Sequence, residues 1–378
     1  MTAPLWPRRH FTSSLAALVG ATLAPRTAGA ASAARADAPA AGALIDLSSN
    51  ENPYGPSPRA LEAMTRCQSV ACRYPDDVEK RVVEALASLH GVAPERIVLG
   101  CGSSEVLRLC DAAFLGAGRK LVVAEPTFEA VLQYAKVTKA EAVKLPLDAD
   151  FRHDLEAMAR ACDASTGLVY ICNPNNPTGT VVRGDALEAF LARVPASAVV
   201  LVDEAYHHFV EDPGYRSASG LLERFPNVVV ARTFSKIYGM AGMRLGYGVT
   251  SKANAEALRA QASWGNTNVA VLEAALASLE DPTVVPQGRE RLNGTRKSLC
   301  RALEADGRRY IPSQGNFLMI DVGGDVKPLI PAFEARGVKV GRRFDAMPGW
   351  LRVTIGKPDE SEAFLRALRE LVPARAAA

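Results

Sequence analysis

Short apolar runs recur through the middle of the chain, at residues 97–100, 121–124, 142–145, 168–172, 198–202 and 227–234, with longer mixed stretches between them. Runs of this length bounded by turn residues predict buried strands, and the stretches between, such as 103–115 and 128–138, read as helices. Residues 198–202 are apolar at every position, the pattern of a parallel strand covered on both faces. Strand and helix in alternation predict an α/β fold with a mostly parallel sheet. Residues 245–249 read as the last strand of that sheet, and 251–261 as the start of a helical region leaving it.

The flanks follow other patterns. Residues 45–58 are rich in proline and turn formers, which excludes a helix and predicts an ordered arm. Residues 58–67 and 78–90 read as helices, and 287–303 as a long polar helix. Near the C-terminus, 313–320 and 350–355 read as alternating strands, suited to a half-buried sheet in a smaller domain.

Composition bounds the function more than it defines it. With 378 residues, 48% of them apolar and 22% charged, the chain can bury a large core and should form two domains. The formal charge of +3 gives no reason to expect a nucleic-acid partner. The N-terminus stands apart. Arg8 and Arg9 precede a mildly apolar stretch at 15–24 and two small-residue sites, Ala28-Gly29-Ala30 and Ala31-Ser32-Ala33.

That order reads as a twin-arginine export signal over residues 1–33, with 34–43 as a flexible leader; a disordered extension is the alternative. The stretch is too short and too weakly apolar for stable membrane insertion. The first thirty residues hold Arg8, Arg9 and Arg26 and no acid, so cleavage after Ala30 takes the charge from +3 to 0. The expectation is a periplasmic protein, cytoplasmic if the signal is not used. The seven cysteines include no C-x-x-C pair, and no metal site is expected. Cys67 and Cys72 are close enough in sequence for a disulfide to be considered, while most of the seven are expected to be buried free thiols.

The candidate chemistry centres on Lys236. It follows the apolar run 227–234, and small residues crowd the stretch after it. An amine at a strand end among water-excluding residues can lose enough basicity to attack a carbonyl and form a Schiff base; a solvated loop lysine is the alternative. Ser235 and Arg244 add a hydroxyl and a bidentate cation, a pair suited to a phosphate dianion. Gly100-Cys101-Gly102-Ser103-Ser104-Glu105 is a glycine-rich turn opening a helix, where free N–H groups also suit an anion. Asp203 ends the apolar run 198–202 and would be costly there unless paired. Arg352 lies within a strand, where it either faces outward or needs an anion.

Four ordered motifs then carry a specific resemblance. Thr233-Phe234-Ser235-Lys236 with Arg244, Asn173-Pro174-Asn175-Asn176-Pro177-Thr178-Gly179, Asp203-Glu204-Ala205-Tyr206, and Arg73-Tyr74-Pro75-Asp76 resemble those of fold-type-I pyridoxal-phosphate (PLP) aminotransferases of class I/II, and within them the histidinol-phosphate aminotransferase-like branch. The likeness runs from about Leu44 to the C-terminus.

It implies a seven-stranded, mostly parallel large domain at 75–250 that binds PLP. It also implies a smaller α/β domain built from the arm at 44–74 and residues 251–378. The implied roles are Lys236 as the Schiff-base lysine and proton carrier, Asp203 on the pyridine nitrogen, and Asn176 and Tyr206 on the phenolic oxygen. Phe128 would stack on the ring, where many relatives carry tyrosine; a core aromatic is its alternative. Ser103, Ser104, Glu105, Ser235 and Arg244 would hold the phosphate, although the family usually has Asp where Ser104 stands. Tyr74 would reach the phosphate of the partner subunit in a homodimer with composite sites. Tyr54, in Asn50-Glu51-Asn52-Pro53-Tyr54-Gly55, and Arg352 would meet substrate together with Asn176. At position 341 a glycine stands where the branch has arginine, and Arg342 and Arg343 follow it.

The implied reaction is ping-pong transfer of an amino group from an amino acid, or histidinol phosphate, to a 2-oxo acid. A decarboxylase, lyase or racemase of the same fold is the alternative, and an exported PLP-binding protein without turnover a more distant one.

Overall fold

The structure, a computed structural model, describes residues 44–373, so the export signal and leader read at 1–33 and 34–43 lie outside the described residues. Twelve strands occur among those residues: β1 (Ile45–Asp46), β2 (Ile97–Gly100), β3 (Lys120–Glu125), β4 (Glu141–Pro146), β5 (Thr166–Cys172), β6 (Val199–Asp203), β7 (Val228–Thr233), β8 (Gly246–Thr250), β9 (Tyr310–Ile311), β10 (Phe317–Asp321), β11 (Val338–Lys339) and β12 (Trp350–Thr354). The α-helices are α1 (Pro58–Arg66), α2 (Asp76–His90), α3 (Ser103–Phe114), α4 (Ala130–Thr138), α5 (Leu155–Ala161), α6 (Gly184–Leu191), α7 (Lys252–Arg259), α8 (Val269–Leu279), α9 (Val284–Ala305), α10 (Leu329–Glu334) and α11 (Pro358–Leu371).

Seven strands form one sheet in the order β2-β8-β7-β6-β5-β3-β4. Its core from β4 to β7 is parallel, and β8 runs antiparallel to both β7 and β2. Every residue of β5, β6 and β7 is buried, because helices cover both faces. Leu168, Tyr170, Cys172, Leu201 and Val229 pack on one side with residues of α3, α4 and α7. Val169, Ile171, Val200, Val202 and Val230 pack on the other with residues of α2, α5, α6 and α8. Full burial of each such side chain contributes about 1.5–3 kcal/mol, so this layer is the rigid platform of the molecule.

Helix starts follow local chemistry. Ser57 caps α1 by accepting the Ala60 N–H at 3.2 Å, with proline in the first turn. The helix expected from 78 begins earlier, at Asp76, where Asp76, Asp77 and Glu79 place negative charge at its positive end. The long polar helix also extends past its expected bounds, from Val284 to Ala305.

The second sheet, β12-β10-β9, corrects the half-buried expectation. Phe317, Leu318, Met319 and Ile320 are all inaccessible, and Leu351 to Thr354 are buried as well. Leu318, Ile320, Leu351 and Val353 join the main core with α9 and α11, while Met319 packs on Ile311, Phe344 and Met347. Apolar side chains cover both faces, so the alternation seen in sequence has no exposed side to report. Residues 313–316 precede the strand and do not belong to it.

All seven cysteines are free: Cys67, Cys110 and Cys172 are buried, Cys162 and Cys300 partly so, and Cys72 and Cys101 exposed. Cys67 turns inward to the Met64 carbonyl at 3.2 Å, and no disulfide joins it to Cys72. Among the described residues no helix is long and apolar enough to cross a membrane.

Candidate active site

Parallel strands β5, β6 and β7 deliver their C-terminal ends side by side, the usual place for a ligand in such a sheet. Asn173 to Gly179 follow β5, Asp203 closes β6, and Ser235 and Lys236 follow β7. Two cavities of about 300 and 500 Å³ meet there, and Ser49, Phe128, Tyr206 and Lys236 line both. A cavity of about 530 Å³ lies elsewhere, around Arg152, Arg308, Arg309 and Trp350, and holds none of the predicted residues. Its arginines already face Asp150, Asp306 and Asp321.

The Lys236 amine donates to the carbonyls of Asn50 at 2.9 Å and Ser49 at 3.3 Å, and stands 5.5 Å from the centre of the Tyr206 ring. Burial, and then the nearby Arg352 cation, bring its pKa down from 10.5 to about 8. The neutral fraction at pH 7 rises by about two orders of magnitude as a result. The sequence expectation of a desolvated amine therefore has a geometric basis.

Arg244 makes the base of the smaller cavity. Its guanidinium meets Ser235 Oγ at 3.4 Å and the carbonyls of Ala241 and Cys101 at 3.0 and 3.4 Å, and among the described residues it has no carboxylate partner. Gly102 makes the approach possible: with φ +78°, a Cβ there would come within 2.1 Å of Arg244 Nη2. Ser103 and Ser104 line the cavity and occupy the first two positions of α3, where backbone N–H groups have no intrahelical acceptor. An uncompensated cation, a hydroxyl and a helix start thus converge on one spot.

Glu105 has a different part. Its carboxylate accepts the Cys101 N–H at 2.7 Å and the Asn266 side-chain amide at 2.5 Å, and pairs with Arg108 at 3.2 Å. It ties the glycine turn in place, and the cavity lining does not include it.

Two adjacent acids end β6 with opposite fates. Glu204 is paired with Arg232 at 2.9 Å and bonded to Ser217 and the Ala218 N–H. Asp203 lines the cavity and has no ion pair among the described residues. Its Oδ1 accepts the Ala205 N–H at 3.1 Å and its Oδ2 the Tyr170 hydroxyl at 2.9 Å. Burial pushes its pKa up from 3.8 to about 6. A cation placed beside it would reverse that cost.

The Tyr206 hydroxyl accepts from the side-chain amides of Asn50 and Asn176, both at 3.2 Å, so its own proton is left to donate. Asn176 in turn accepts from Arg352 Nη1 at 2.8 Å, and Arg352 Nη2 donates to the Ser48 carbonyl at 2.6 Å. Arg352 is buried, faces no acid among the described residues and leaves Nε without a partner. Burial lowers its pKa to about 10, which keeps it charged near neutral pH. Phe344 lies against it, 5.3 Å from ring centre to guanidinium, and Arg342 stacks on the same ring at 4.3 Å.

A dianion site, an unpaired carboxylate, a buried amine and a hydroxyl donor match the phosphate, basic ring nitrogen, aldehyde and phenolic oxygen of PLP. The residues present fit that cofactor. Tyr54 is absent from the lining of both cavities and lies between Arg291 and Lys357. Tyr74 is 86% exposed, beside Gly265 and away from both cavities. His207 and His208 pack on each other, ring centres 3.7 Å apart. Sequence reasoning missed the site contacts of Asn50, Tyr170, Asn316 and Phe344. Asn316 holds the Asn50 and Glu51 carbonyls at 3.1 and 3.2 Å. Asn50 was visible in its motif, whereas Tyr170 and Asn316 act through pairings distant in sequence and Phe344 through the course of the loop that brings it against Arg352.

Comparison with known proteins agrees with the geometry. The profile of "Aminotransferase class I and II" matches residues 43–368. A histidinol-phosphate aminotransferase of Moorella thermoacetica is 39% identical over 332 residues, covering 87% of this chain and 86% of that protein. Histidinol-phosphate aminotransferase 2 of Pseudomonas aeruginosa is 39% identical over 331 residues, covering 87% and 89%. Among solved structures, histidinol-phosphate aminotransferase from Sinorhizobium meliloti in complex with pyridoxal-5'-phosphate superposes with a TM-score of 0.81 at 26% identity, covering 88% of this chain and 92% of the other. The chain belongs to the class I and II aminotransferases and is a PLP-dependent aminotransferase of amino and oxo acids.

Proposed function

We propose that Lys236 carries the cofactor, that Arg244, Ser235 and the Ser103–Ser104 start of α3 hold its phosphate, and that Asp203 pairs with its ring nitrogen. In the same reading Asn176 and Tyr206 bond its phenolic oxygen, Phe128 stacks on its ring, and Arg352 receives the anionic group of the substrate. The observation that carries this is complementary incompleteness: around the buried Lys236 amine stand two guanidiniums, Arg244 and Arg352, that have no acid partner among the described residues, and one buried carboxylate, Asp203, that has no cation partner among them.

PLP supplies an aldehyde for amine exchange and a ring that withdraws electrons from the substrate Cα. The protein does the rest. Arg352 orients the donor by its anionic group, and the chain Arg352–Asn176–Tyr206 links that group to the cofactor end of the site. Once displaced by the incoming amine, Lys236 Nζ is free to take the proton from Cα, and its lowered basicity suits both uptake and release near neutral pH.

The proposed donor is an amino acid or histidinol phosphate, and the acceptor a 2-oxo acid. The names of the relatives support histidinol phosphate; a glycine at 341 in place of the branch's arginine supports a different donor. A Cβ at 341 would lie 2.7 Å from the Arg352 carbonyl oxygen, so a larger residue there requires the backbone beside that arginine to shift. Tyr54 has no part in this proposal, and Glu105 only a supporting one.

The active unit is proposed as a homodimer, in which exposed Tyr74 reaches the partner's cofactor phosphate. Residues 1–33 are proposed to export it. Absorbance during single half-reactions with histidinol phosphate and with each amino acid tests the donor. Bleaching of the cofactor band by one donor supports the reading, and no bleaching by any of them overturns it.

A further inference from the structure

Tyr170 has an unusual position for a polar side chain. It lies in the middle of β5, wholly inaccessible, on the face shared with Leu168, Leu201 and Val229. Parallel pairing of β5 with β6 sets Tyr170 opposite Leu201 and Cys172 opposite Asp203. The ring therefore starts one pleat repeat short of Asp203 and runs along the sheet until its hydroxyl reaches Oδ2 at 2.9 Å. Phenylalanine would fill the same apolar layer. A buried hydroxyl costs free energy unless it is bonded, and here the bond it makes is to Asp203, the buried carboxylate of the site that has no ion pair among the described residues.

We propose that Tyr170 is a positioning residue for transamination: its hydroxyl fixes the plane of the Asp203 carboxylate and stabilises the anion that faces the cofactor. The proposal rests on the assignment of Asp203 to the ring nitrogen. With the Ala205 N–H on Oδ1, each carboxylate oxygen has one fixed donor. Burial raises the pKa of the phenol well above its usual value, so Tyr170 keeps its proton and always donates. Among the causes that favour the Asp203 anion, this hydrogen bond is the largest.

The test is a double-mutant cycle with Tyr170→Phe and Asp203→Asn in the full chain, read as the PLP dissociation constant across pH by fluorescence, with near-UV circular dichroism to check folding. Tyr170→Phe should weaken PLP binding roughly tenfold and move the acid-side midpoint of binding upward. In the Asp203→Asn background the same change should have almost no effect. 3-Fluorotyrosine at position 170 keeps the ring and strengthens the donor, so it should move the midpoint down; it also decides the matter if Tyr170→Phe does not fold.

Wild-type affinity and midpoint in Tyr170→Phe, or an equal loss in both backgrounds, overturns the proposal while leaving Asp203 in its role. Wild-type affinity in Asp203→Asn overturns that role and the proposal with it. A structural part alone would lower thermal stability and leave the midpoint in place.

Discussion

At the scale of single residues, the site is a set of charges whose partners are withheld. Arg352 has hydrogen bonds to Asn176 and Ser48 but no acid partner among the described residues, which supports the proposal that it takes one from solution. Arg352→Gln should cost about 2–4 kcal/mol in kcat/KM, roughly 30- to 1,000-fold, mostly through KM. Steady-state kinetics with the best donor measures this, and an unchanged KM would count against the assignment. Lys236, Ser235, Arg244, Asp203, Tyr206 and Asn176, which the structure brings to the two adjoining cavities, could be singled out in the sequence because each lies in a recognisable motif, whereas Glu105 and Tyr74, singled out in the same way, do not line them. Tyr170 and Phe344 were not legible. Their contacts depend on which strand lies beside which and on the course of the loop between β11 and β12, and no local pattern carries that information.

At the scale of elements, α3 both serves the site and carries a cost. Its first turn meets Arg244 only because Gly102 has no side chain. Gly102→Ala should displace the arginine and weaken PLP binding by about tenfold or more, through both the clash and the positive φ. Two turns later Asp111 is buried, with neither carboxyl oxygen hydrogen-bonded among the described residues, and burial pushes its pKa up from 3.8 to about 8.

The folded chain thus holds a proton on Asp111 that the unfolded chain has lost, and stability should fall as pH rises from about 4 to about 8. Asp111→Asn should flatten that fall and gain about 1–3 kcal/mol at pH 8. Urea denaturation of the apoprotein at several pH values reads it out, and a wild-type pH profile in the variant would contradict it. The strand–helix order of the large sheet was legible because its parallel strands are short and have largely apolar centres. The second sheet was misjudged because α9, α11 and Phe344 cover what the alternation left open.

At the scale of the whole molecule, exposed aromatics mark what the single chain leaves uncovered. Trp264 is fully exposed and Tyr74 nearly so, and Tyr74 lies 4.0 Å from where a Cβ on Gly265 would stand. Large aromatics left together in water favour an interface. For the proposed homodimer, Trp264→Asp should shift sedimentation from dimer to monomer and weaken cofactor retention, and a variant that remains dimeric would remove this surface from the proposed interface.

The central claim is that one amine among the lysines of this chain carries the cofactor, and borohydride reduction of the PLP-loaded protein followed by peptide mass mapping tests it most directly. The account predicts the added mass of reduced cofactor on the peptide containing Lys236, and its loss in Lys236→Ala. Label on another lysine, or label undiminished in that variant, would contradict it.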